Sequence, residues 1–433
     1  MNEIQAVGSE AAVQNDSTGP DASDSSPPGS ERPWIYGLLI APSAVVANGV
    51  VQGGVLGYLL SQQGVGPGTQ SHLIGLLALP TSLYFLWSPI TDFFVRRRTW
   101  LLLGGIAAAV LMALGFHQKS LSSAAALAFM LASACCSQLV VSSCGGMMGA
   151  MQSERSRRVA GSFYQAGSMG LGALSVSILL WLSPRISRDL LAVIAAALIG
   201  IPVLAAVFAP AQPEISTGSF RHTMARVWTE FKGTFLHWRA LPYTLCMTFP
   251  MASGSAVGLL TGAAKSYGVN GDKVAWINGL LGGLLMAAGS FVASLFPARF
   301  RAPVVYMIVA LVNVAAMSIL WLGPLRPLTY FAGVTAYLFT VGSCYAMFTA
   351  VVLEFLGSSG KSGSGRYSII NSLGNIPVLY MLQIDGWGGD HFGARGIAGA
   401  ECVVGGIGAA LLLTYFLTLG RNVRGASEAL AAS

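Results

Sequence analysis

Long apolar runs separated by short polar segments follow one another along the chain from Trp34 almost to its end. A helix needs about 20 apolar residues to cross the hydrocarbon core of a bilayer, and each run is close to that length. We therefore predict an all-α polytopic membrane protein with twelve transmembrane helices. Their approximate bounds are Trp34–Leu60, His72–Phe94, Trp100–Phe116, Ser122–Gly149, Gly161–Leu182, Leu190–Pro210, Leu241–Ala264, Val274–Phe296, Val304–Leu322, Leu328–Leu356, Tyr367–Gln383 and Ile397–Leu419.

The scarcity of charged residues supports a membrane location. Only 9% of the 433 residues are charged, against about 25% in a typical soluble domain. The mean hydropathy is +0.65. A water-facing surface over a chain of this size needs more charge, so the composition excludes soluble enzymes, nucleic-acid-binding proteins and secreted disulfide scaffolds. The six cysteines lie within predicted spans and are interpreted as small packing residues.

Basic residues are concentrated in one set of loops. If both termini are cytoplasmic, all but seven of the 24 Lys and Arg residues lie on the cytoplasmic side, as is typical of membrane proteins. The exceptions are Lys119, Arg185, Arg188, Lys265, Lys273, Arg326 and Arg395. We predict a multi-pass protein of the cell membrane, a bacterial inner membrane, with both termini in the cytoplasm.

Two polar segments interrupt the apolar pattern. Residues 1–33 are acidic and rich in Ser, Pro and Gly, which predicts a disordered tail. Residues 211–240 are predicted to form a cytoplasmic linker that contains an amphipathic helix. Residues 34–210 and 241–420 then form two six-helix bundles, and residues 421–433 form a carboxy-terminal tail.

The two predicted bundles have related sequences. Glycines at four-residue spacing occur in both the first and the seventh span: Gly49, Gly53, Gly57, Gly254, Gly258 and Gly262. Such spacing lets membrane helices pack closely. Similar short sequence motifs also recur between the second and eighth spans and between the fifth and eleventh. Repeated halves are typical of transporters whose halves rock around a site near the middle of the membrane.

One stretch resembles a known family. Residues 79–92 (LPTSLYFLWSPITD), followed by Arg96-Arg97-Arg98, resemble the second helix and following loop of the major facilitator superfamily. Within it they are similar to the branch of AmpG-type muropeptide permeases and acetyl-CoA transporters, as are residues 375–396. Ser88, Phe93 and Val95 depart from the superfamily's loop pattern. The resemblance implies the major facilitator fold and transport by alternating access.

The same resemblance implies a role for Asp92, at the cytoplasmic end of the second span. In the family this carboxylate holds the two halves together on the cytoplasmic side. We expect a conformational latch of Asp92, Arg96 and Arg97 with Arg366 and the amino end of the eleventh span. The alternative is a solvated carboxylate at a helix end.

Two further carboxyl groups are candidates for proton coupling. Glu354 is placed near the cytoplasmic end of the tenth span, and Glu401 about one turn into the twelfth. Ionisable groups inside a membrane are costly and therefore mark functional sites. The alternative is that both lie at the membrane interface.

Neutral polar side chains within the spans are candidates for a substrate cavity. Amides supply donors and acceptors, so they bind a polar solute without burying a charge. These candidates are Asn48, Gln52, Gln138, Tyr164, Gln165, Asn278, Tyr345, Asn371 and Asn375. Hydrogen bonding between helices is the alternative role for each of them.

The sequence contains no motif for catalysis, nucleotide binding or a metal site, so we predict no enzyme activity, no cofactor and no bound metal. We predict a monomeric secondary transporter in contact with membrane lipid and a small-molecule substrate, but not with nucleic acid. The expected activity is proton-coupled symport of an amino sugar, a muropeptide or an acylated metabolite. The alternatives are an exporter of the same fold and a membrane sensor that transports nothing.

Overall fold

A computed structural model describes residues 32–86, 90–91, 94–149, 151, 154–209, 225, 229, 241–249, 251, 253–294, 300–358 and 374–431. Nearly all of the predicted acidic tail and most of the predicted linker lie outside these residues. So do three predicted site residues, Asp92, Arg366 and Asn371. The described residues form helices and turns, with no strand among them.

Helices in the first half of the chain follow the apolar runs. Among the residues described before residue 210 they are α1 (Ile35–Leu39), α2 (Ala41–Ser43), α3 (Val55–Gln62), α4 (Pro67–Leu83), α5 (Arg97–His117), α6 (Ala124–Gly149), α7 (Glu154–Leu182) and α8 (Arg188–Val203). A π-helical segment, Ala44–Val51, continues from α2, and a 3₁₀ segment, Leu204–Phe208, follows α8.

The second half is built in the same way. Its described helices are α9 (Leu241–Thr248), α10 (Ala256–Ala263), α11 (Gly271–Ala275), α12 (Gly282–Ser294), α13 (Ala302–Leu322), α14 (Pro327–Ser358) and α15 (Ile376–Ala431). A π-helical segment, Trp276–Leu281, joins α11 to α12. Helix α15 is interrupted at Gly393, whose φ of +65° is not helical.

Seven described helical segments are long and apolar enough to cross a membrane, or eight if the bent pair Ile35–Val51 and Val55–Gln62 is one span. An all-α architecture suits a bilayer because a helix satisfies its own backbone hydrogen bonds. The predicted count of twelve remains a prediction, because segments such as residues 210–224 and 359–373 lie outside the described part of the chain.

The first and seventh predicted spans are both broken. Gly54 precedes α3 with a φ of +100°, and Gly254 lies just before α10 with a φ of +78°. Glycine adopts these left-handed conformations without the steric cost of a side chain. Non-helical backbone at membrane depth is stable where it is buried in protein, and Gly54 packs against Thr261 of α10.

The two halves meet near one end of the bundle. We call this end the distal face. It carries the turns that follow α3 and α5 and the start of α11, and it lies at the other end of the first span from Arg32. Helix α3 packs on α10, α4 on α15, and α7 on α11. A Cβ atom on Gly57 would overlap the backbone carbonyl of Gly258, so the helices approach as closely as small residues allow.

The helix that corresponds to the eleventh span extends further than the sequence predicted. The predicted end was Gln383, but the helix continues to the break at Gly393. Residues 386–389 (GWGG) look like a loop because glycine has a low helix propensity. In the structure, Gly386 packs against Ser71 and Gly389 against Pro67, both of α4. Close helix packing therefore explains these glycines.

Candidate functional site

Two carboxyl groups lie together in the protein interior. Asp385 is 0% exposed and Glu401 is 2% exposed. Both belong to α15, on opposite sides of its break at Gly393. The segments on either side of the break pack against each other, with Gly388 against Gly396. Glu401 is therefore enclosed by protein, which agrees with its selection as a candidate ionisable group within a span.

A single hydroxyl group connects the two carboxyl groups. The Ser255 Oγ lies 2.6 Å from Asp385 Oδ2 and 2.9 Å from Glu401 Oε1. A serine hydroxyl has one hydrogen to donate, so it cannot donate fully to both oxygens. A proton on one of the two carboxyl groups would supply the second hydrogen and satisfy both contacts.

Hydrogen-bond partners distinguish the two carboxyl groups. Glu401 Oε1 also accepts from the Tyr337 hydroxyl at 2.9 Å and from the Ala256 N–H at 3.4 Å. The Ser253 hydroxyl lies 3.4 Å from Glu401 Oε1 and donates to Ser255 Oγ at 2.9 Å. Asp385 Oδ1 has no partner among the described residues. Several donors stabilise an ionised carboxylate. The surroundings of Glu401 therefore favour its ionised form more than those of Asp385 do.

No basic side chain in the described part of the protein lies within ion-pair distance of this pair. The ion pairs described are His117 with Asp189 at 2.6 Å and Arg185 with Asp272 at 2.7 Å, all exposed or partly exposed. A buried carboxylate without a cationic partner is expensive. A proton bound to the pair would reduce this cost.

The broken backbone before α10 forms one wall of the site. Its carbonyl groups are satisfied by tyrosines: Tyr345 donates to the Ser253 carbonyl at 3.0 Å, and Tyr306 donates to the Met251 carbonyl at 2.8 Å. The amino end of α10 points its Ala256 N–H at Glu401, where the helix dipole favours negative charge. The structure thus places the predicted cavity residue Tyr345 beside the predicted coupling residue Glu401.

Three of the predicted amide side chains form hydrogen bonds between helical segments. They are Asn48 to Ser168 Oγ at 3.0 Å, Gln138 to Thr81 Oγ1 at 3.3 Å, and Asn278 to Thr261 Oγ1 at 3.1 Å and to the Tyr330 hydroxyl at 2.9 Å. Each bond stays within one half of the chain. These contacts are those expected of amides that hold neighbouring helices together, the alternative role considered for them.

The remaining predicted residues are dispersed. Gln52, Tyr164 and Asn375 are half-buried, on the broken first span, on α7 and just before α15. Arg96 is exposed at the start of α5, while Arg97 lies against Gly146 of α6. The side chains of Gln165 and Glu354 lie outside the described part. Those of these residues whose side chains are described do not contact the Asp385–Glu401 pair.

Sequence reasoning missed Asp385 and Ser255 as site residues. Asp385 stood between predicted spans, where a charged residue needs no explanation. One available signal was that it is the only charged residue in residues 367–389. The pairing itself depends on the chain reversal at Gly393, which no local pattern predicts.

Solved structures of two transporters have the same overall fold. The nucleoside transporter NupG, solved as a point mutant, aligns with a TM-score of 0.67 and 12% identity over 89% of this chain and 98% of that one. A D-xylose–proton symporter aligns with a TM-score of 0.63 and 13% identity over 88% and 95%. No family model matches the sequence, and none of the curated proteins matches it.

These likenesses define the class of protein by its architecture. The chain is an all-helical, multi-pass membrane protein with the major facilitator fold, as the sequence predicted. At these identities the fold alone is shared. The solute and the direction of any transport have to be inferred from the chain's own site.

Proposed function

We propose that this protein is a secondary active transporter that moves a small polar or amphiphilic solute by alternating access, coupled to protons in symport. The observation that carries the proposal is the buried Asp385–Glu401 pair, whose carboxyl groups share the Ser255 hydroxyl and have no basic partner among the described residues. The fold supports it, because the two aligned proteins are a nucleoside transporter and a D-xylose–proton symporter.

The geometry provides a physical route from proton to conformational change. If the proton leaves, two negative charges face the same Ser255 hydroxyl at 2.6 and 2.9 Å. Like charges repel strongly in an interior of low dielectric constant. Separation of the break before α10 from α15 admits water to the site, and the higher dielectric constant weakens the repulsion between the two carboxylates of α15. Proton release therefore favours movement of two elements that line the site.

Several sequence predictions belong to the same proposal. We place the substrate among amino sugars, muropeptides and acylated metabolites, because the quoted residues resemble the AmpG and acetyl-CoA transporter branch. We also propose a monomer in a bacterial inner membrane with both termini cytoplasmic. The proposal also includes the cytoplasmic latch at Asp92 and a substrate cavity that is partly lined by Gln52 and Tyr345.

Counterflow in proteoliposomes tests the proposal. The purified protein is reconstituted and offered labelled amino sugars, muropeptides and acyl-coenzyme A compounds, with and without an imposed pH gradient. We expect an inward proton gradient to drive accumulation of one of them. Efflux driven by the same gradient would favour the exporter, and absence of counterflow for every solute would favour the sensor.

Variants of the pair separate coupling from binding. Glu401→Gln and Asp385→Asn keep the size of each side chain but remove the carboxylate, so we expect gradient-driven accumulation to be lost while solute exchange continues. Asp189→Asn is the matched control, because its carboxyl group is 71% exposed and pairs with His117. Normal gradient dependence in both pair variants would contradict the proposal.

A further inference from the structure

The amino end of α4 is capped by a residue from the other half of the protein. Helix α4 begins at Pro67, after Gly66, which has no side chain to cap the first turn. The Gly68 N–H instead donates to Asp390 Oδ1 at 2.8 Å. A carboxylate at a helix amino terminus satisfies free N–H groups and interacts favourably with the helix dipole. Here the carboxylate comes from α15, 322 residues away in sequence.

Further contacts follow the same face of α15. Gln383 Nε2 donates to the Ser71 carbonyl at 3.0 Å, and Gly386 lies against the Ser71 side chain. Residues 383, 386 and 390 are three, four and seven positions apart, so they share one helix face. Asp385 lies on the other side of the helix, toward Ser255. The segment therefore contacts α4 with one face and the carboxyl pair with the other.

Both helices are shaped for this contact. A Cβ atom on Gly68 would overlap the Asp390 carboxyl group, and one on Gly386 would overlap the Ser71 hydroxyl. Any larger residue at either position would push the helices apart. The contact lies at the distal face, where α3 and α10 also meet.

We propose that Asp390 and Gln383 are gating residues of the transport cycle: they form a distal latch that holds the two halves closed at this face and must release before solute enters or leaves there. The inference rests on the proposed function, since a gate serves a transporter. It adds residues at the end of the protein opposite the predicted latch at Asp92.

Distance measurements between the two halves test the latch. Spin labels on Lys119→Cys and Arg326→Cys, both exposed at the distal face on opposite halves, report its opening in lipid nanodiscs. The six native cysteines are buried or half-buried, and the chain without these two substitutions, treated with the same label, gives the background. No solute or pH gradient is applied, so the outcome is independent of whether the carboxyl pair carries protons.

Asp390→Ala is expected to raise the ratio of open to closed distal face about fivefold, the factor that loss of one helix cap produces. Asp390→Asn keeps an acceptor oxygen and should raise it less. Gly68→Ala leaves residue 390 unchanged but places a Cβ atom where the Asp390 carboxyl group lies, so it should also open the face. Asp272→Asn is the matched control, because its pair with Arg185 joins the same halves but is exposed to solvent.

An Asp390→Ala distribution that matches the unsubstituted protein would overturn the proposal. So would an effect no larger than that of Asp272→Asn. Circular dichroism and gel filtration confirm that each variant is folded, and Gly68→Ala provides a second test if Asp390→Ala does not fold.

Discussion

The charge on Glu401 is tested by removing a single hydroxyl group. Tyr337→Phe keeps the buried ring and deletes the hydrogen bond of 2.9 Å to Glu401 Oε1. A hydrogen bond to a charged group contributes about 1.5–3 kcal/mol to stability, whereas one between neutral groups contributes about 0.5–1.5 kcal/mol. If Glu401 is ionised, Tyr337→Phe should cost about 1–2 kcal/mol more in the native protein than in a Glu401→Gln background.

The assay is a double-mutant cycle. Unfolding is followed by circular dichroism in mixed micelles of a mild detergent and sodium dodecyl sulfate for the native protein, both single variants and the double variant. Tyr330→Phe is the matched control, because its buried hydroxyl contacts Asn278 and the Leu260 carbonyl, which are neutral. Its cost should be the same in both backgrounds, within about 0.5 kcal/mol.

An interaction energy below about 0.5 kcal/mol between Tyr337 and Glu401 would contradict the conclusion that Glu401 is ionised. Such a result would mean that Glu401 is neutral in the folded protein, and the expectation of a proton on Asp385 would fail with it. An interaction energy of about 1–2 kcal/mol between Tyr330 and Glu401 would also contradict the ionised state of Glu401. It would show that Glu401→Gln lowers the stability of the protein generally.

Two further predictions concern the contact between the halves. Gly57→Ala should place a Cβ against the Gly258 carbonyl and open the distal face in the spin-label experiment, at a cost of about 1–3 kcal/mol to the closed form. Gly145→Ala should not open it, because no described atom beyond its own helix lies within 4 Å of the added Cβ. Arg185→Gln should leave the unfolding midpoint unchanged at high salt, because its pair with Asp272 is screened by solvent.

The Arg185 pair is not expected to respond to pH near neutrality. The hydrogen bond with Asp272 raises the pKa of Arg185, so the guanidinium group stays charged across the range in which a transport assay is run. A change in distal opening between pH 6 and 8 that persists in Arg185→Gln is therefore assigned to other groups.

The fold was predictable because its main determinant is local. Each long apolar run, such as the one that became α13, requires a helix in a bilayer whatever its neighbours do. The glycines of the first and seventh spans also marked a real contact, since Gly57 and Gly258 touch between α3 and α10. These features depend on residues close together in sequence.

The site was only partly predictable because it depends on contacts between distant residues. Glu401 was identified as a rare ionisable group in an apolar run, which is a local signal. Its relation to Asp385 depends on the left-handed turn at Gly393, and its relation to Ser255 depends on a helix break 146 residues away. Asp390 carries no local signal of its role, because its partner is a backbone N–H that has no sequence signature.

Infrared difference spectroscopy on protein labelled with ¹³C-aspartate shows whether the Asp385–Glu401 pair holds one proton, on Asp385. We expect a carbonyl stretching band of a protonated carboxyl group at neutral pH that shifts with the label, shifts in heavy water and is absent from Asp385→Asn. If the native protein lacks that band, or if Asp385→Asn retains it, Asp385 does not carry the proton.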